Sequence, residues 1–214
     1  MNDLILVAAS GLAREVAETV TAAGTYRIVG IVDDDLELHG SNVSGIPVLG
    51  GLEQIDRHPG ARIVVCAGRG SSRQSIVERL TTQGVRRYAT VIHPSVHVPR
   101  SCSIGVGSVL LANVALTASV SIGRHAVVMP NVTLTHDNLI DDFVTLCAGV
   151  CLGGNVTVGE AAYIGMNATV REGTTVGANA TLGMGGVLLR DLPWHQSWAG
   201  VPAARINFRR GDSA

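Results

Sequence analysis

The side chains best suited to proton transfer stand together in one run, Thr135-His136-Asp137-Asn138, between Leu134 and Ile140. An imidazole titrates near neutrality and can accept the proton of an amine or hydroxyl nucleophile. An adjacent carboxylate can fix its tautomer and raise its basicity. Spacing alone fits an idle, outward-pointing histidine equally well. His93 and His125 fall at turn or outward positions and read as structural, while His39, His58 and His195 lie outside any pattern. All 16 basic residues are Arg, and the absence of Lys removes Schiff-base chemistry, a catalytic lysine and an ordinary Walker-type phosphate loop. The four cysteines, Cys66, Cys102, Cys147 and Cys151, form no CxxC pair and read as free, mostly buried thiols.

The elements that must position His136 follow from a period of six. Ile92, Val98, Ile104, Leu110, Leu116, Ile122, Val128, Leu134, Ile140, Leu146, Leu152, Val158, Ile164, Val170, Val176, Leu182 and Leu188 are all branched aliphatics at six-residue steps. If a third of residues were branched aliphatics, such a run would arise by chance about once in 10⁸ sequences. A six-residue period means one short strand and one turn per repeat, three repeats to a triangular coil, and coils stacked aliphatic on aliphatic. The implied fold is a left-handed parallel β-helix of five to six coils, against the usual right-handed crossover. Gly follows many of the periodic residues (Gly105, Gly123, Gly153, Gly159, Gly165, Gly177, Gly183), where a tight corner needs a permissive backbone.

Residues 1–88 have another pattern. Strand-like runs at Leu4–Ala8, Ile28–Val32 and Arg62–Ala67 alternate with helical stretches from about Leu12 to Ala23 and from Ser71 to Gln83. That alternation predicts a small Rossmann-like α/β domain, with its ligand crevice at the carboxyl ends of the strands. The expected organisation is 1–88, an α/β acceptor-binding domain; 89–190, the β-helix; and 191–214, a short tail carrying Trp194, Trp198 and Arg209-Arg210.

Composition narrows the function classes. Apolar residues are 46% and charged residues 15%, so the chain is no disordered tail. A net charge of −1 lacks the basic footprint of a nucleic-acid binder. No apolar run approaches the length of a membrane span, and Met1-Asn2-Asp3 lacks the basic start of a signal peptide, so the expected location is cytoplasmic. The flat faces of a β-helix offer no deep cleft, whereas three prisms around a threefold axis create clefts between neighbours, so a homotrimer is expected.

These residues carry a resemblance. The uninterrupted hexapeptide register, His136-Asp137 within it, the strand end Asp33-Asp34 and the segment Ala199-Gly-Val-Pro-Ala203 resemble the sialic-acid O-acetyltransferase and bacterial nucleotide-sugar N-acetyltransferase family of hexapeptide-repeat acyltransferases. The resemblance implies direct acetyl transfer from acetyl-coenzyme A to the amino or hydroxyl group of a sugar, without an acyl-enzyme and without metal. It assigns His136 as general base and Asp137 as its support. The Gly154 N–H is placed on the thioester oxygen, and Thr145, Gly154, Met166, Gly183 and Met184 along the coenzyme. Ser10, Gly11, Leu12, Asp33, Asp34 and Gly68 are placed on the nucleotide-sugar. Two positions depart from the family pattern: Thr145 often is His, and Ala8-Ala9-Ser10-Gly11-Leu12-Ala13 replaces a turn of the form G-x-G-G-H-A. Fewer glycines restrict backbone approach to a phosphate, and Leu12 removes a polar contact, so a nucleotide link on the acceptor stays open.

Two other classes share the β-helix. A γ-class carbonic anhydrase needs three zinc-binding histidines, and His93, His97, His125 and His136 lack its spacing. The alternative is a non-catalytic trimeric scaffold, accessory to sugar synthesis: the intact His136-Asp137 pair argues against it and the altered turn at Ala8–Ala13 argues for it.

Overall fold

The computed structural model describes residues 1–206, so Arg209-Arg210 lie outside the described residues. Six elements make the core of the amino-terminal domain: β1 (Asn2–Val7), α1 (Gly11–Ala23), β2 (Tyr26–Val32), β3 (Asn42–Val43), β4 (Ile46–Gly50) and β5 (Arg62–Val65), followed by α2 (Gly70–Thr82). The sheet order is β3-β4-β2-β1-β5, parallel except for the β3–β4 hairpin. The hairpin was not legible in the sequence, because Ile46-Pro47-Val48 is a short run broken by proline. Ser10 starts α1 by accepting a hydrogen bond from the Ala13 N–H at 3.2 Å, and Gly24 ends it in the left-handed conformation.

The aliphatics of β1, β2 and β5 point alternately to two cores. Leu4, Leu6, Ile31 and Val64 pack with Leu12, Ala13, Val16 and Val20 of α1. Ile5, Val7, Val32, Ile63 and Val65 pack on the other side with Leu52, Ile55, Leu80 and Tyr88. The first core does not stop at the domain edge, since it continues into Val91, Val109, Leu111 and Val127. α1 is therefore clamped between its own sheet and the β-helix.

The second part is a left-handed parallel β-helix. Every periodic aliphatic from Ile92 to Leu188 except Val98 is the second residue of a two-residue strand. Strands pair in parallel with those 18 residues away, as Thr133 with Cys151 and Leu134 with Leu152. Three faces result. The first face carries Val91–Ile92, Val109–Leu110, Val127–Val128, Thr145–Leu146, Tyr163–Ile164 and Thr181–Leu182, and it is the face against α1. The chain then crosses to the second face (Thr133–Leu134, Cys151–Leu152 and their equivalents) and on to the third (Leu139–Ile140, Thr157–Val158). The segment expected as a tail extends the first face: Ser197–Ala199 pairs in parallel with Thr181–Leu182, and Ala204–Arg205 folds back on it. Of the cysteines, all free, Cys66 and Cys147 are buried, Cys102 is half-buried and Cys151 is exposed.

Each corner needs one residue in the left-handed region, three places after the periodic aliphatic. Asn113, Asn131, Asn155, Asn167 and Asn179 meet it with φ between 55° and 61°, as short polar side chains do at least cost. His125 occupies the same kind of position (φ 54°), yet it is a correction to the outward reading. Its ring is only 5% exposed, edge-on to Tyr88 at 4.6 Å and stacked on Phe143 at 5.3 Å. The aromatic wall that draws it inward comes from both domains and has no sequence periodicity.

Burial, and then the nearby Arg124 and Arg73 cations, push the His125 imidazole down to about 4, with Asp142 opposing. The folded protein thus holds His125 neutral where the unfolded chain protonates it near 6.5. Between those values the unfolded state binds more protons, so stability falls as pH falls, by about 3 kcal/mol at the lower limit. Urea midpoints measured at pH 7 and pH 4.5 should separate widely for the native sequence. They should separate less for His125→Asn, whose side chain tolerates the same φ.

Candidate functional site

The Leu134–Ile140 corner joins the second and third faces. Asp137 holds its left-handed position with φ 59° and donates its N–H to the Ala118 carbonyl at 3.0 Å. Asn138 turns inward and anchors the corner from below, donating to the Gly153 carbonyl at 2.7 Å. Thr135 Oγ1 donates to the Leu152 carbonyl at 2.8 Å. His136, between these anchors, projects outward, with its side chain 65% exposed. Its Nδ1 lies 2.8 Å from Asp137 Oδ2. An ionised carboxylate only accepts, so Nδ1 carries a proton, and in the neutral imidazole Nε2 is the nitrogen with the lone pair. One coil further on, Gly154 lies beneath the ring, and a Cβ built there would run into Cε1 and Nε2. Among the described residues no acceptor meets the Gly154 N–H. A base and a free backbone donor therefore stand side by side, with room between them only because residue 154 has no side chain.

The other expected site residues fall into separate places. Met166 (49% exposed) and Met184 (71% exposed) stand one coil apart on the corner between the first and second faces. Gly183 lies against Ala199, donating its N–H to the Trp198 carbonyl at 2.7 Å, so the Ala199–Ala203 segment sits at this same corner. Thr145 is elsewhere, buried on the first face beneath the amino-terminal domain.

The acceptor set also divides. Leu12 and Gly68 line a cavity of about 350 Å³ between the two domains, together with Arg69, Ser72, Val127, Met129, Thr145, Cys147 and Tyr163. Asp33 and Asp34 line a smaller crevice of about 110 Å³ with Val7, Ala8, Val32, Leu52 and Ile76. Both Asp33 carboxylate oxygens are engaged, accepting from the Ala9 N–H at 2.6 Å and the Asp35 N–H at 2.9 Å. Asp34 forms a two-pronged ion pair with Arg79, which holds its carboxyl below the usual carboxylate range. Ser10 caps α1 and donates to the Cys66 carbonyl at 2.6 Å, and Gly11 opens that helix. Ala8, where the family turn begins with glycine, still adopts a φ of 81°, at a cost of about 1 kcal/mol for a residue with a Cβ.

Sequence reasoning missed the residues that close the larger cavity. Arg69 and Ser72 open α2, directly after the strand whose carboxyl end was the expected crevice. The Arg69 guanidinium stands 5.4 Å over the Tyr163 ring. Their signal was position, at the end of β5, rather than any motif. Among the described residues no group of three or more His, Cys, Asp or Glu side chains is arranged to hold a metal ion, and no helix is long and apolar enough to cross a membrane.

A small α/β domain clamped to a left-handed β-helix, with a carboxylate-oriented histidine on a corner, defines a hexapeptide-repeat acyltransferase. Residues 3–80 match the family described as the PglD N-terminal domain. The acetyltransferase domain of PglB from Neisseria gonorrhoeae is similar over 96% of this chain and 100% of its own, with 33% identity and a TM-score of 0.87. PerB from Caulobacter crescentus, seen in complex with CoA and GDP-perosamine, is similar over 97% of this chain and 98% of its own, with 31% identity and a TM-score of 0.89. WeeI from Acinetobacter baumannii is 25% identical over 95% of this chain and 99% of its own, with a TM-score of 0.82. No curated protein sequence matches. The chain belongs to the bacterial nucleotide-sugar acetyltransferase family and is an acetyltransferase.

Gly154→Ala tests the space beneath the ring. The new methyl meets the end of an exposed side chain, so the ring can swing away and the fold should be nearly undisturbed. Thermal unfolding should shift by no more than a few degrees. The His136 ring should leave its place above residue 154, and a shift of its NMR resonances reports the change.

Proposed function

We propose that this protein transfers an acetyl group from acetyl-coenzyme A directly to the amino group of a nucleotide-linked sugar, with His136 as general base. The observation that carries this reading is the His136–Asp137 hydrogen bond, which occupies Nδ1 and turns Nε2 toward the space above Gly154. Nε2 accepts the proton of the attacking amine as the carbon–nitrogen bond forms. The Gly154 N–H donates to the thioester oxygen as it gains charge, a contribution worth a few kcal/mol in a site shielded from water. The thiolate of coenzyme A then leaves and takes up the proton that His136 holds.

Acceptor binding falls to residues 1–88 and acyl transfer to residues 89–190, with 191–206 closing the last coil. Leu12 and Gly68 serve the acceptor in the larger cavity, with Ser10, Gly11, Asp33 and Asp34 shaping the adjoining strand ends. Met166, Gly183, Met184 and Gly154 serve the coenzyme, whereas Thr145 acts through the domain junction. PerB, captured with CoA and GDP-perosamine, supports both the coenzyme and an amino sugar as ligands. The acceptor cavity lies on the first face and His136 at the far edge of the second. One face of the prism separates them within a chain, so a second copy completes the site, in a homotrimer. Acetyl-coenzyme A is an intracellular metabolite, which places the reaction in the cytoplasm.

His136→Ala should lower turnover of GDP-perosamine, the first acceptor to try, by two or more powers of ten. Coenzyme A binding, followed by calorimetry, should persist in that variant. Asp137→Asn should lose less, since it weakens the orientation of the base without removing it. Native turnover in His136→Ala would refute the assignment.

A further inference from the structure

The most deeply buried cation among the described residues lies outside all the residues discussed as reactive. Arg73, in the first turn of α2, is 1% exposed and has no carboxylate partner among the described residues. Burying an unpaired guanidinium is costly unless every N–H finds an acceptor. Here each does. Nε donates to the His125 carbonyl at 2.8 Å. Nη1 donates to the Ala67 and Gly68 carbonyls, both at 2.9 Å. Nη2 donates to the Phe143 and Val144 carbonyls at 2.7 and 3.0 Å and to Thr145 Oγ1 at 3.1 Å. The guanidinium thus ties two successive coils of the β-helix to the loop that ends β5. Gly70 makes this approach feasible, since a Cβ there would strike the Phe143 carbonyl.

The Thr145 hydroxyl closes a ring of contacts. It accepts from Arg73 and donates to the Gly68 carbonyl at 2.9 Å, the same oxygen that Arg73 holds. Gly68 and Thr145 both line the cavity of about 350 Å³, as do Arg69 and Ser72 on either side of this turn. We infer that Arg73 is a positioning residue for the acceptor: it touches no reacting atom but fixes the Gly68 loop and the start of α2 against the β-helix. Thr145 is its accessory, which explains why that side chain faces the junction. The role rests on the acceptor reading given above. It predicts an effect on the acceptor that the coenzyme does not share.

Two variants and two readouts test it. Thr145→Val preserves volume and removes the hydroxyl that accepts from Arg73 and donates to the Gly68 carbonyl. It should raise the KM for the nucleotide-linked amino sugar about fivefold and leave the KM for acetyl-coenzyme A within twofold. Arg73→Lys keeps the charge but cannot span the five carbonyls, and should raise the acceptor KM at least tenfold with the same selectivity. Hydrogen exchange at amides 66–72 should quicken in both variants, and this readout needs no acceptor. If the native protein acetylates no nucleotide-linked sugar, the acceptor reading fails, while faster exchange confined to 66–72 still supports the tie. An unchanged acceptor KM in Thr145→Val, together with unchanged exchange, would overturn the inference. So would equal weakening of acceptor and coenzyme in either variant, since that is the mark of a merely structural contact.

Discussion

A chain that must turn a corner every six residues is governed by two demands. One branched aliphatic per repeat must point to the axis, and one residue per corner must adopt the left-handed conformation. Strands of two residues contribute little by themselves. Stability comes from stacking, in which each Leu, Ile or Val rests on its equivalent 18 residues away, with burial worth about 1.5–3 kcal/mol per side chain. The same rule builds the site. Asp137 stands where Ser119 and Asn155 stand in the neighbouring coils, so the corner's backbone requirement and the orientation of His136 are met by one residue. Gly154, one coil on, supplies the space.

The join between domains follows a different logic. α1 contributes shape and apolar area to a core shared with the first face. Arg73 contributes direction, because carbonyl dipoles around a planar cation permit only one arrangement. A surface that was only apolar could slide, whereas a guanidinium held by carbonyls from two coils and a loop cannot do so without stranding a charge.

The β-helix and its register were legible because a period of six repeats too often to miss. The three parallel strands and two helices of the amino-terminal domain were legible from the alternation of strand-like and helical runs. The β3–β4 hairpin was not, since a seven-residue stretch around Pro47 has no period to read. His136 and Asp137 could be named from type and place, and the structure adds their hydrogen bond. Arg73 and His125 were beyond the sequence. What makes each unusual is burial against partners from other elements, Arg73 against carbonyls 52 to 71 residues away and His125 between Tyr88 and Phe143, and in a string of letters Arg73 looks like any basic residue on a solvated helix. Asp33 was named from its place at a strand end, and the structure adds the two loop amides from which its carboxylate accepts.

Coil stacking also restricts how such a chain can change its length. The guanidinium anchors the amino-terminal domain to the corners at His125 and Phe143, and the His136–Gly154 pair belongs to the adjoining coils. An insertion or deletion between residues 125 and 136 that is not a whole coil would rotate the histidine relative to the anchored corner, and any between 136 and 154 would part it from Gly154. Tyr163, which lines the cavity beneath Arg69, carries the same constraint into the next coil. Tolerance to indels should therefore be lowest along about two coils, from His125 to Tyr163.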